Sequence, residues 1–373
     1  MSLLHRLLID LQRRCSESLD TWKKVEPTLA PEAKRYAENI RQKLLDRAGA
    51  HVDRLLKDPD LADPQFARSF YIDYKRVVEL IQQIEEGSLL AICRYRAEDR
   101  FASLLVDQIA TEIGYPKPAP LCSATSTQYF FAHTGLDLIF VPCAEPYRLL
   151  GLSDFYHELA HFLLFRFSSK FLAPIEAEID LYFDQAVKDA RQKGWVQTLI
   201  DELEAYRKSW KRDWMIEFGA DMVAAYCAGP AYGWANVRLC SNVSADLFAG
   251  ASTHPADAAR ATGIEIVLHG IGCATEAAEI DAEWQELLRL TAQMKPQGFD
   301  MAYPQPLLNR LADSTVAACK TVGLNSYLRT RRGGVDVTFT LNEAWREFRA
   351  KANSYSAWEQ NAVAQLKSAF QLP

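Results

Sequence analysis

The sequence predicts a predominantly α-helical protein with one small antiparallel sheet and a helical N-terminal region. Three observations carry this. Residues 1–115 hold four amphipathic runs, separated by breakers at Pro27/Pro31, from Asp58-Pro59 to Pro64, and at Gly87. The β-forming residues concentrate in two short stretches, Thr125 to His133 and Leu136 to Val141, split by Gly135. From Leu152 onward the apolar residues return to helical spacing.

Taken in order, Leu4, Leu7, Leu8 and Leu11 start the first helix at i, i+3, i+4, i+7 spacing. Tyr71, Ile72, Tyr74, Val77, Val78, Leu80, Ile81 and Ile84 form the continuous apolar stripe of a bundle helix. Tyr115-Pro116-Lys117-Pro118-Ala119-Pro120 is a stiff, extended segment and the natural boundary of the first domain. Pro142 closes the second strand and suits a sheet edge, since proline cannot donate to a ladder. Long helices are expected over Ala173 to Lys193 and Gln197 to Arg212. One late strand is expected at Val335 to Thr340, after Gly333-Gly334. The expected organisation is a helical domain over 1–115, a core over 116–280 and a mainly helical region over 281–373.

Composition excludes several classes. With 49% hydrophobic and 24% charged residues, the 373-residue chain is neither disordered nor fibrous. Its net charge of −6 includes no basic stripe, which argues against nucleic acid as the main partner. The first residues lack the apolar core of a secretory signal, and no stretch reaches about 18 uncharged apolar residues, so no membrane span is expected. The eight cysteines are scattered without a C-x-x-C pair and read as reduced core thiols of a cytoplasmic protein. Arg329-Thr330-Arg331-Arg332-Gly333-Gly334 reads as a solvated hairpin turn. His5, His51, His133 and His269 have no spaced partner and read as structural.

One constellation carries chemistry. His157-Glu158-Leu159-Ala160-His161 is an H-E-x-x-H motif, which chance would place about 0.01 times in such a chain. Ser153 or Asp154 is placed to cap a helix that is apolar on most sides. On that helix the two histidines, four apart, share a face and can reach one ion. Glu158 lies on the adjoining strip, where a general base for a bound water belongs. A hydrolytic zinc site needs three protein ligands and one open position. The metzincin positions are taken by Leu164 and Phe167, so the third ligand must come from elsewhere. Glu217 and Asp221 offer it: two carboxylates one turn apart on an otherwise apolar helix, Trp214 to Tyr226, which need cationic or donor partners if buried. Glu217 is the expected third ligand. Asp221 is expected to accept the free N–H of a ligating histidine.

H-E-x-x-H followed by E-x-x-x-D on a later helix resembles the gluzincin metallopeptidases. Ser252-Thr253-His254-Pro255 with Arg260 is similar to the S-x-H-P…R segment of the family of CAAX prenyl endopeptidases, Oma-type proteases and the bacterial heat-shock membrane protease. The resemblance covers roughly residues 125–270. It implies a zincin-like core, a Zn2+ cofactor and hydrolysis of a peptide or protein substrate, although this chain lacks that family's membrane spans. It also implies that His254 donates to the oxyanion, against the alternative of a histidine capping a turn before Pro255. Arg260 would hold the segment through a carboxylate, or else lie on the surface. Tyr156, Tyr226 and Tyr232 are each candidates for a second oxyanion donor. A substrate strand could add to the open edge of Leu136 to Val141. The expected activity is that of a zinc endopeptidase; the rival is a non-catalytic zinc module whose N-terminal helices recruit a protein partner.

Overall fold

The computed structural model describes residues 2–127, 129–243, 246–251, 253–330 and 333–373. Its residues form two compact units, one of 1–106 with 119–146 and one of 107–118 with 147–373. Helices dominate both.

In the first unit α1 (Leu3–Val25), α2 (Pro31–Ile40), α3 (Asp46–Lys57), α4 (Ala67–Gln83) and α5 (Leu90–Cys93) lead into the start of α6 (Ala97–Glu112), whose residues 107–112 belong to the second unit. Ser2 caps α1 by accepting from the backbone N–H of His5 at 3.2 Å. The apolar stripes of these helices bury Leu8, Trp22, Ile40, Val52 and Ile81 in one core. Each such side chain contributes roughly 1.5–3 kcal/mol by leaving water. Gly87 does not break its helix as expected. A π turn over Ile84–Leu89 carries α4 into α5, and a Cβ at Gly87 would lie 2.5 Å from Leu136 Cδ1. Glycine is there for close packing rather than for an end.

The sheet consists of β1 (Leu121–Ser126), β2 (Phe131–His133) and β3 (Leu138–Pro142) in the order β1-β3-β2. It is mixed and not antiparallel as the sequence suggested, because β1 pairs parallel to β3 while β2 pairs antiparallel to it. The continuous apolar run of β3 is buried over Leu138–Val141, which suits a central strand with a neighbour on each side. Pro142 sits at its end. Both edges of β3 are therefore occupied, which overturns the expectation that a substrate adds there.

In the second unit α7 (Asp154–Arg166), α8 (Leu172–Gln192), α9 (Gln197–Ser209), α10 (Met215–Ala228), α11 (Pro230–Val243) and α12 (Asp257–Gly270) are followed by α13 (Ala274–Thr291), α14 (Phe299–Ala302), α15 (Gln305–Thr321), α16 (Val337–Lys351) and α17 (Tyr355–Ala369). The apolar α10 is central and packs on α7, α8, α11, α12 and α15. Gly219 lets α7 approach, since a Cβ there would stand 3.2 Å from both Leu164 methyls; Gly263 does the same for α12 against Met222.

Val335 to Thr340 is not a strand. Asp336 accepts from Phe339 N–H at 2.9 Å and starts α16. The buried Glu112 carboxylate then accepts from Val337 N–H at 2.7 Å, Thr338 N–H at 2.8 Å and the Thr338 hydroxyl at 2.6 Å. An anion on the unpaired N–H groups of a helix start outweighs the β propensity of Val and Thr. In the basic segment before it, Arg329 bonds Glu276 at 2.7 Å and the Gly272 carbonyl at 3.0 Å, and the expected turn at Arg331 and Arg332 lies outside the described residues. Six cysteines are buried as expected, but Cys93 and Cys143 are exposed; all eight are free thiols. Among the described residues no helix is long and apolar enough to cross a membrane.

Candidate metal centre

The site is built on α7 and α10. From Asp154 to Leu164 every residue of α7 is buried except His161, so the helix is set firmly by its surroundings. Ser153 does not cap it; its hydroxyl donates instead to the Ala231 carbonyl at 3.2 Å. One turn apart, His157 and His161 face the same way, with ring centroids 4.7 Å apart and planes at 87°. Across the α7–α10 contact, Glu217 points its carboxylate at both.

The donor atoms converge. His157 Nε2 and His161 Nε2 are 3.1 Å apart, and Glu217 lies 3.6 Å from the first and 3.9 Å from the second. A tetrahedral ion with ligand bonds of 2.0–2.2 Å holds its donors about 3.3–3.6 Å from one another, so these spacings lie within a few tenths of an ångström of what one ion requires. His157, His161 and Glu217 are the group among the described residues whose ligand atoms all lie within 4.8 Å of each other. Two imidazoles and one carboxylate are donors that a divalent transition ion accepts, and three protein ligands leave a further coordination position open. Side-chain exposures of 10%, 15% and 14% leave the cluster reachable.

Behind the cluster stands a buried polar network. Asp221, fully buried, lies 2.9 Å from His157 Nδ1. It accepts from Arg260 twice, at 2.7 Å on Oδ2 and 2.8 Å on Oδ1, and from the Tyr232 hydroxyl at 2.5 Å on Oδ1. Arg260 also stands 3.8 Å from Glu217. Arg260 is therefore a buried member of the centre and not a surface arginine. Its charge offsets the cost of burying two acids and is in turn offset by them.

These contacts set the charges of the cluster. Burial pushes the Asp221 carboxyl up, but the Arg260 guanidinium and His157 outweigh it and hold it well below the usual range. Burial also raises Glu217, yet the two histidines and Arg260 bring it down to about 2. His157 is pushed down by burial and pulled up further by the Asp221 and Glu217 carboxylates, to about 10. His161 falls to about 4, through burial and the neighbouring His157. Both carboxylates are thus held ionised by the cationic groups around them.

Glu158 is 5% exposed, directly after His157 on α7, and acts electrostatically on that histidine. His254 is exposed on the loop before α12, with Nδ1 2.9 Å from the Thr253 hydroxyl. Ser252 of the same segment lies outside the described residues. That loop is held by Trp214, whose indole N–H donates to the Ala251 carbonyl at 3.1 Å, and by Tyr303, whose hydroxyl accepts from Ala256 N–H at 3.0 Å. Of the three tyrosine candidates, Tyr156 bonds Thr338 at 2.7 Å and Tyr226 faces the Leu324 carbonyl at 3.5 Å. Tyr232 is engaged behind the cluster. Nothing in the sequence distinguished it: Gly229 at φ 67° turns the chain between α10 and α11 and returns Tyr232 against Asp221. His51 contacts Arg54, and His269 contacts Glu265, as structural histidines do.

No protein-family model, curated protein or solved structure matches the chain.

Proposed function

We propose that the chain is a zinc-dependent endopeptidase, and the convergence of His157, His161 and Glu217 within 4.8 Å carries that reading. These three would hold the ion. When bound, Zn2+ supplies an acidified water and polarises the scissile carbonyl. Glu158, beside His157 and shielded from bulk water, takes the proton of the attacking water and passes it to the leaving amine. Asp221 holds His157 by its Nδ1–H, so that Nε2 keeps its lone pair towards the ion. Arg260 keeps Asp221 ionised. His254, whose Nδ1 faces Thr253, would use its other ring nitrogen to donate to the oxyanion. The zincin-like character of the core belongs to this same proposal.

The test separates metal binding from chemistry. Glu158→Gln preserves shape and removes basicity, so the variant should bind about one zinc per chain while losing cleavage of a peptide library by at least 100-fold. Elemental analysis and mass spectrometry of the digests give the two readouts. Equal cleavage by variant and wild type would overturn the base assignment. A chain that binds zinc but cleaves nothing would favour the rival, non-catalytic module.

A further inference from the structure

Tyr232 is the buried group of the centre for which the reaction above gives no task. It is 2% exposed, and its ring stacks near His157 with centroids 6.2 Å apart and planes at 17°. Its hydroxyl has two polar neighbours, Asp221 Oδ1 at 2.5 Å and His157 Nδ1 at 3.0 Å. The hydroxyl donates to Asp221 Oδ1, so the tyrosine proton goes to the carboxylate. The tyrosine oxygen then has only lone pairs to offer His157. Nδ1 therefore faces two acceptors, Asp221 Oδ1 at 2.9 Å and Tyr232 Oη, and must carry the hydrogen.

We infer that Tyr232 is a positioning residue that tunes the metal affinity of His157 through Asp221, an inference that rests on the metal-centre reading. Its effect has a sign. A histidine ligand becomes more basic as its outer partner pulls harder on Nδ1–H. Tyr232 weakens that pull in two ways: it draws charge from Asp221 Oδ1 by donating to it, and it shares the Nδ1–H as a second, neutral acceptor. Arg260 also draws on Asp221, but it is needed to keep the carboxylate ionised. Tyr232 is not, because a neutral hydroxyl supplies no charge. Its removal should leave the network intact and concentrate Asp221 on His157. The chain thus holds its ion less tightly than its ligands allow, which leaves the ion more strongly acidifying.

The experiment is a competitive chelator titration with Zn2+ on the full chain. Tyr232→Phe, which keeps the ring, should bind zinc roughly three- to tenfold tighter, less than the ~10–100-fold effect of losing a histidine's direct partner, because Tyr232 acts through Asp221. A merely structural tyrosine predicts the opposite, looser binding from a disordered His157. In an Asp221→Asn background the same substitution should have no further effect, since its path runs through that carboxylate. Should Tyr232→Phe fail to fold, site-specific replacement of Tyr232 by 3-fluorotyrosine, a stronger donor of the same shape, should loosen zinc instead. Unchanged or weaker binding by Tyr232→Phe, an undiminished shift without Asp221, or tighter binding with 3-fluorotyrosine would overturn the inference and leave the metal centre standing. A wild-type chain that takes up no zinc, or a His161→Ala variant with wild-type affinity, would overturn the metal centre and the inference with it.

Discussion

Arg260→Met tests whether the buried network is as strongly coupled as its geometry says. The guanidinium makes two bonds to a carboxylate with no solvent exposure, at 2.7 and 2.8 Å, and stands 3.8 Å from a second. Removing one partner of such a pair strands the other charge in a medium that solvates it poorly, a loss of about 3–5 kcal/mol. Methionine replaces the aliphatic stem, so little packing is lost. Asp221 also keeps its bonds from His157 and Tyr232, which places the expected loss near 3 kcal/mol. For a unit of this size that corresponds to a fall in Tm of about 6–12 °C. Circular dichroism melts of the zinc-free chain at neutral pH would read it. The double variant Asp221→Asn/Arg260→Met removes the stranded charge and should recover more than half of the loss. A single variant within 2 °C of wild type, or a double variant that adds the two losses, would refute the argument that the pair is buried and mutually dependent.

Other expectations follow from the same structure. Gly229 has φ 67° and ψ −146°, a region essentially reserved for glycine, and a Cβ there would meet the Tyr327 ring. Gly229→Ala should therefore destabilise by roughly 2–6 kcal/mol, read by urea unfolding, through backbone strain and overpacking together; a neutral result would mean the α10–α11 corner is wrongly described. Asp221→Asn should weaken zinc binding by roughly 10–100-fold, with Glu217→Gln worse and the outlying Asp213→Asn near neutral. If Asp221→Asn tracks Asp213→Asn in a chelator titration, α10 does not belong to the site. Glu217 is held at about 2 against its ordinary 4.5, so in the zinc-free chain it stabilises the fold above its unfolded pKa, and that stability is lost as pH falls through the folded value. Between about pH 5 and 2 the unfolding free energy should drop less steeply for Glu217→Gln than for wild type, measured by urea titration at each pH; identical slopes would show that Glu217 is not held low.

The candidate cluster was legible because helix periodicity is a local property. His157 and His161 share a face whatever surrounds them, and Glu217 and Asp221 share another, so two short patterns named the four residues before any packing was known. The apolar neighbours of both motifs likewise announced burial. Long-range choices were not legible. Val335 to Thr340 alternates like a strand, and it is helical because the Glu112 carboxylate, more than two hundred residues earlier in the chain, meets its N–H groups. Leu136 to Val141 announced a strand but not that it would lie centrally with a parallel neighbour, since pairing is chosen by whatever covers both edges. The sequence singled out Arg260 only through a resemblance and did not choose Tyr232 among three tyrosines. One becomes a buried counter-ion because Gly263 lets α12 close on α10, the other an Asp221 partner because Gly229 turns the chain back. Spacing along a helix determines which side chains point together, whereas the partners of a buried charge depend on which helices come close enough to exclude water, and only the packed tertiary structure decides that.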